Sequence, residues 1–278
     1  MSDESIDQHS ASSPEPVDSP EGFGYTGGGS WQVMRRLVAH YLRTADRADR
    51  LAYPFRSRID LDADHLPRMS QPEMGDAQAA EQWLVIESAN LLSALDWTRQ
   101  HGSERQLALA AHVLAGFLDM EGYLGTAEPI LRRAVAYWRA AGDDAARARA
   151  LLDLSGVCSH SGDYDGGHAA ASEALGLARS LSDSELESES IHHLWIPLWH
   201  TGQFVLAQTL QERALYLRKQ SGDTLQIARS HNLLGITQLH LGRDHEALDL
   251  FEQALLGFAE ASDNRGRYRL VQEGHRGG

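Results

Sequence analysis

From Met120 to Asp263 the chain repeats itself every 40 residues, and a period of that length restricts the fold more than any other property of the sequence. Gly122, Gly162, Gly202 and Gly242 share one column; Ala134, Ala174, Ala214 and Ala254 share a second; Asp143, Asp183, Asp223 and Asp263 share a third. Self-similarity at roughly 20–50 residues is the mark of a solenoid, in which no unit buries its apolar face alone and neighbours must stack. Each unit reads as helix, glycine turn, helix and an aspartate-led loop. Ser103 caps the first helix of the array and Gly122 closes it. The spacing then predicts helix pairs at 144–161 with 164–182, 184–201 with 204–221, and 224–241 with 244–261.

Residues inside the unit narrow the type. The last copy has Leu234-Gly235 in its first helix, then Ala247, Phe251 and Ala254 in its second. This resembles the tetratricopeptide repeat (TPR), where small residues let two helices approach and Leu and Phe fill the groove between units. Leu114, Ala127 and Ala134, then Leu154, Ala171 and Ala174, then Leu194, Ala207 and Ala214 keep parts of the pattern. The expected fold is all-α: a TPR-like helical-hairpin solenoid, a right-handed superhelix, preceded by a helical adaptor.

Four segments are expected: a disordered leader (1–30), the adaptor (31–102), the array (103–263) and a disordered tail (264–278). The leader is rich in Ser, Pro, Asp, Glu and Gly and has too little apolar surface to offset its ordering entropy. Gly27–Gly29 read as a flexible linker, with Ser30 capping a helix from Trp31. That helix carries Met34, Leu37, Val38, Tyr41, Leu42, Ala45, Ala48 and Leu51 on one stripe and must stop near Tyr53, ahead of Pro54. Residues 54–75, with Pro54, Pro67 and Pro72, read as an extended crossing loop. Asp76 caps one further helix that runs to Gly102.

The adaptor carries a second resemblance. Tyr41, Thr44, Ala45, Asp46, Ala48, Tyr53 and Pro54, followed by Trp83, Leu84, Glu87, Asn90 and Leu91, resemble the segment joining ATPase core to TPR array in AfsR-like, SARP-type regulators of the STAND ATPase class. The Gly142-Asp143 and Gly222-Asp223 junctions, and Asp263 to Gly266, are similar to that family's repeat junctions. The resemblance implies a sensor or docking role in transcription regulation and signal transduction. The family's DNA-binding and ATPase parts have no counterpart among these residues: no G-x-x-x-x-G-K-[ST] is present, and the single lysine, Lys219, sits in a helix with no glycines before it.

A formal net charge of −14 argues against direct nucleic-acid binding by this chain, because binding to phosphate backbones needs a basic face. Cys158 is alone, so neither an internal disulfide nor a cysteine metal cage is expected. No run of 18 apolar residues and no signal peptide is present; the expectation is a cytoplasmic protein without a membrane span. Neither G-x-S-x-G nor H-E-x-x-H occurs, and the acidic groups Glu185, Glu187, Glu189, Asp143 and Asp144 sit at or near helix starts, where carboxylates favour the dipole. No enzymatic activity, cofactor or metal is expected. His160, His200 and His240 recur at the period, but equivalent residues in stacked units lie roughly 8–10 Å apart. One zinc needs its ligands at about 2 Å. They read instead as last-turn cations ahead of a glycine cap.

Binding residues are expected on the concave side, which in TPR arrays is lined by the first helix of each unit. The candidates are Arg149, Glu189, His192, Trp195, Trp199, Arg229 and Asn232, with Arg229 and Asn232 placed to hold a peptide carboxylate. Trp195 stands where these helices favour a small residue, and Pro197 interrupts the same helix. His192, Trp195, Ile196 and Trp199 share a face that reads either as a repacked core or as an aromatic pocket. The function expected is a protein- or peptide-binding scaffold or sensor of a regulatory protein. Two alternatives stand: a small-molecule or signalling-peptide sensor using the pocket of the third pair, and a truncated fragment of a larger regulator without its own function. The last pair lacks a capping helix, so an exposed apolar face and self-association through it are also expected.

Overall fold

The computed structural model describes residues 27–61 and 70–261, and all of its regular elements are α-helices. The first, α1 (Gly27–Ala52), stops where expected, just ahead of Pro54. It begins earlier than expected, because Gly27–Gly29 form its first turn. Amides of a first turn need no partner within the helix, and Trp31 holds this end by packing on Trp97 and His101, at 5.2 and 4.8 Å between ring centres.

The single helix expected between Asp76 and Gly102 is two: α2 (Ala77–Ile86) and α3 (Ser88–His101). Asp76 caps α2 by accepting from the Ala79 amide, and the break falls at Glu87 (φ −89°, ψ 8°). Both halves pack on α1. Glu87 accepts from the Asn90 side chain at 2.7 Å beside the bend.

Four antiparallel pairs follow: α4 (Glu104–Met120) with α5 (Leu124–Ala141), α6 (Asp144–Ser161) with α7 (Tyr164–Leu181), α8 (Ser184–His200) with α9 (Phe204–Ser221), and α10 (Thr224–His240) with α11 (Asp244–Glu260). Ser103 and Gln106 form a reciprocal capping box on α4. Asp143, Asp183 and Asp223 each accept the amide three residues on, so the aspartate column is a column of N-caps. Gly142 and Gly222 leave their helices at φ 69° and 74°, whereas Ser182 takes the same left-handed geometry at φ 55° in the equivalent place. Ala134, Ala174, Ala214 and Ala254 are buried, which is what close approach within a pair demands. Gly235 shows the limit of that approach: a Cβ there would lie 2.6 Å from the Phe251 ring.

Each helix packs on the next, and the first helices α4, α6, α8 and α10 also touch one another in succession. This leaves the second helices on the outside and makes a helical-hairpin solenoid. The histidine column serves stacking between units. His200 stacks on Tyr164 at 3.8 Å and His240 on Phe204 at 4.9 Å, while His160 meets Asp119 at 2.7 Å. At the far end Leu248 (58% exposed) and Leu256 (71% exposed) stand on α11 with nothing over them among the described residues. Residues 1–26, 62–69 and 262–278 lie outside the described residues, and with them most of the expected leader, part of the crossing loop, and the tail.

Candidate functional site

The inner helices form a groove, and the chain itself runs through it. After α1 the backbone leaves helical geometry at Tyr53, and residues 55–59 cross all four inner helices. Ile59 donates its amide to His112 Nε2 of α4 at 3.0 Å. The Arg56 guanidinium reaches the His112 carbonyl at 2.9 Å and Asp153 of α6 at 2.8 Å. Ser57 donates its amide to Glu189 of α8 at 3.0 Å, and its hydroxyl points to the same carboxylate. Phe55 lies under the Arg229 guanidinium of α10, 3.9 Å from its ring centre, and its carbonyl accepts from Gln226 at 3.2 Å.

Beneath this segment lies a charge network. Asp49 of α1 is 1% exposed and pairs with both Arg56 and Arg58. Burial pushes the Asp153 carboxyl up, but Arg56 and His112 outweigh it and hold the group at about 2. His112 Nδ1 faces Asp153 at 2.6 Å while Nε2 accepts from Ile59, which assigns a neutral ring protonated on Nδ1. Burial lowers its pKa in the same sense. Gly116 of α4 makes the approach possible: a Cβ there would meet Asp49 Oδ1 at 2.6 Å and the Tyr53 ring at 2.7 Å.

Of the residues expected on the concave face, Glu189 and Arg229 touch the segment directly. His192 meets Arg229 at 2.9 Å. Arg149 lines a cavity of about 420 Å³ beside the segment, together with Pro54, Arg56, Ser57, Arg58 and Asp183. Trp195 and Trp199 do not line it. The Trp195 indole donates to Thr237 of α10 at 3.1 Å, and Trp199 stacks on Trp195 and packs on His240. Both rings thus bridge α8 to the next unit. Asn232 is buried among the helices. Sequence reasoning missed His112, Asp153 and Gln226, and it missed the segment as the occupant. The available signal was FRSRID: two arginines in a stretch without helical period, ahead of inner helices whose mostly apolar faces carry a few acids and imidazoles.

Glu189 and His193, one turn apart on α8, give the groove opposing pH responses. Burial pushes Glu189 up to about 7, partly offset by the Ser57 amide, and pushes His193 down to about 4. The folded chain therefore holds a proton on Glu189 that the unfolded chain has lost. That contribution is fully present below the ordinary value of 4.5 and fades as pH rises to about 7. The histidine contributions run the other way: they are present above 6.5 and fade as pH falls, through about 4 for His193. Glu189→Gln removes the first response and leaves the second. Its stability, read as a urea midpoint, should fall more steeply than that of the unsubstituted chain on acidification from pH 7 to 4.5. Parallel midpoints would contradict this assignment.

One trio among the described residues has metal-binding donors close together: Glu128, Cys158 and Asp163. Arg132 sits among them, 3.9 Å from Cys158 Sγ and 3.8 Å from Asp163, and burial pushes the thiol up to about 11. The arginine already supplies positive charge there, and the protonated thiol is a poor ligand.

A tetratricopeptide repeat family model matches residues 198–255, which covers α9, α10 and most of α11. Among solved structures, the chain is similar to nearly identical TPR-like repeats of a Podosopora anserina protein assigned as a kinesin light chain. The identity is 17%, the TM-score 0.51, and the match covers 66% of this chain and 95% of that one. No curated protein matches significantly. The repeat family is thus matched over residues 198–255, and the fold of the array is the TPR-like solenoid expected from the 40-residue period. Repeats of this kind are generally scaffolds for protein–protein interaction. No described helix is long and apolar enough to cross a membrane.

Proposed function

We propose that this chain binds protein partners by taking an extended peptide segment into its concave groove, as the sensor or docking part of a transcription-regulator-like system of the STAND ATPase class. The observation that carries the reading is residues 55–59 lying across α4, α6, α8 and α10. The groove holds their backbone amides, a hydroxyl, a guanidinium and an aromatic ring with side chains it already presents. That is the chemistry of peptide recognition: main-chain contacts hold the segment, and side-chain contacts choose it. The regulatory setting rests on the adaptor resemblance from Tyr41 to Leu91. With Trp195 and Trp199 engaged between units and the cavity elsewhere, the geometry favours a peptide over a small molecule in the third pair.

An immobilised peptide library probed with the full chain tests this. Retained peptides should lose about tenfold in affinity, or roughly 1.4 kcal/mol, when Arg229 becomes Ala in a chain that already carries Phe55→Ala, where the guanidinium no longer holds the chain's own ring. Tyr216→Ala on the outer face of α9 should leave them unchanged. Equal losses from both substitutions, or none from the first, would place the partner surface outside the groove.

A further inference from the structure

The segment seated in the groove belongs to the chain, and this has a consequence for any partner. We propose that residues 55–59 are a built-in competitor: a partner that docks in the groove is an extended segment with the same aromatic–arginine–hydroxyl series, and it binds by displacing them. This rests on the peptide-groove reading above and specifies the partner and the control of that same site.

Three features support displacement over permanent closure. The segment has left α1 behind at Ala52, so its departure breaks no helical hydrogen bonds. The Ser57 and Ile59 amides are held by groove side chains, Glu189 and His112, which another backbone can use equally well. Phe55 is only partly buried, packed on the edge of the core under the Arg229 guanidinium with one carbonyl contact to Gln226, and the arginine of an incoming segment takes over the Asp49 and Asp153 carboxylates that Arg56 leaves. Tethering nonetheless gives the segment a high local concentration, so a free partner meets a groove that is open for only a fraction of the time. Weakening the tethered contacts must therefore strengthen binding from outside. A groove merely filled by structural packing gives no such gain.

The probe is a fluorescein-labelled peptide of residues 53–61, YPFRSRIDL, followed by anisotropy with the full chain. The variant is Phe55→Ala with Ser57→Ala, which leaves Arg56 and the carboxylates beneath it in place. The expected result is peptide affinity at least about tenfold higher for the variant than for the unsubstituted chain. A peptide carrying the same two alanines should fail to show the gain. Circular dichroism establishes that the variant keeps its helices; if it does not, Phe55→Leu, which removes only the ring under Arg229, replaces it. Equal affinity for both chains overturns the competitor proposal while leaving the groove as a binding surface. No binding to either chain overturns both.

Discussion

Replacing Arg56 with alanine should lower the unfolding free energy by about 3–5 kcal/mol, the cost of leaving buried carboxylates without their cation. Asp49 and Asp153 both meet this guanidinium, and their side chains are 1% and 7% exposed. The remaining groups compensate incompletely. Arg58 stays with Asp49, while Asp153 keeps only His112, whose ring is held neutral by burial. Urea unfolding of Arg56→Ala measures the loss. Arg56→Met separates charge from volume, since it refills the space and should recover only a minor part. Adding Asp153→Asn to Arg56→Ala should recover more than methionine does, because it removes the orphaned charge itself. A loss below about 1 kcal/mol would mean that the pair behaves like a surface contact, contrary to its burial.

Gly116→Ala is the second large effect, expected to cost about 1–3 kcal/mol through overpacking. The added methyl meets the Asp49 carboxylate, the Tyr53 ring and, at 3.0 Å, the Arg56 guanidinium. All three are fixed by the charge network or by the exit of the chain from α1, so none can yield cheaply. Gly156 occupies the same place one period later, and it provides the control. Its nearest neighbour would be Asp119 at 3.5 Å, an ordinary contact. Gly156→Ala should therefore be neutral or stabilise α6 by up to about 1 kcal/mol through helix propensity. The thermal or urea midpoint of Gly116→Ala should fall, while that of Gly156→Ala stays level or rises. A shared direction would remove the special role of Gly116.

Much of the architecture was legible because period, caps and small-residue columns are local signals. The aspartate column is visible in the sequence and becomes the N-caps of α6, α8 and α10. Gly235 and Phe251 were readable as a close helix contact, and they are one. The bend at Glu87 was not legible, since it follows from packing both halves of the stretch on α1 and no proline or glycine marks it. Helical spacing points to Glu189 and Arg229 on the inner face, and both touch the segment. Asp153 and His112 also hold it, but a lone acid or imidazole on a mostly apolar helix face does not stand out in the sequence. The occupant itself was hidden for a different reason. Residues 55–59 carry no periodicity, and only the long-range return of the chain brings Ser57 to Glu189 and Phe55 to Arg229.

The central claim, that the inner helices hold an extended segment, is tested most directly by amide hydrogen exchange of the full chain, resolved to Ser57 and Ile59. Both amides lie outside any helix, and their hydrogen bonds are to the Glu189 and His112 side chains. Slow exchange at these two positions, lost at Ser57 when Glu189 becomes Ala and at Ile59 when His112 becomes Ala, is the predicted result. Exchange at the rate of a free peptide in the unsubstituted chain would contradict it.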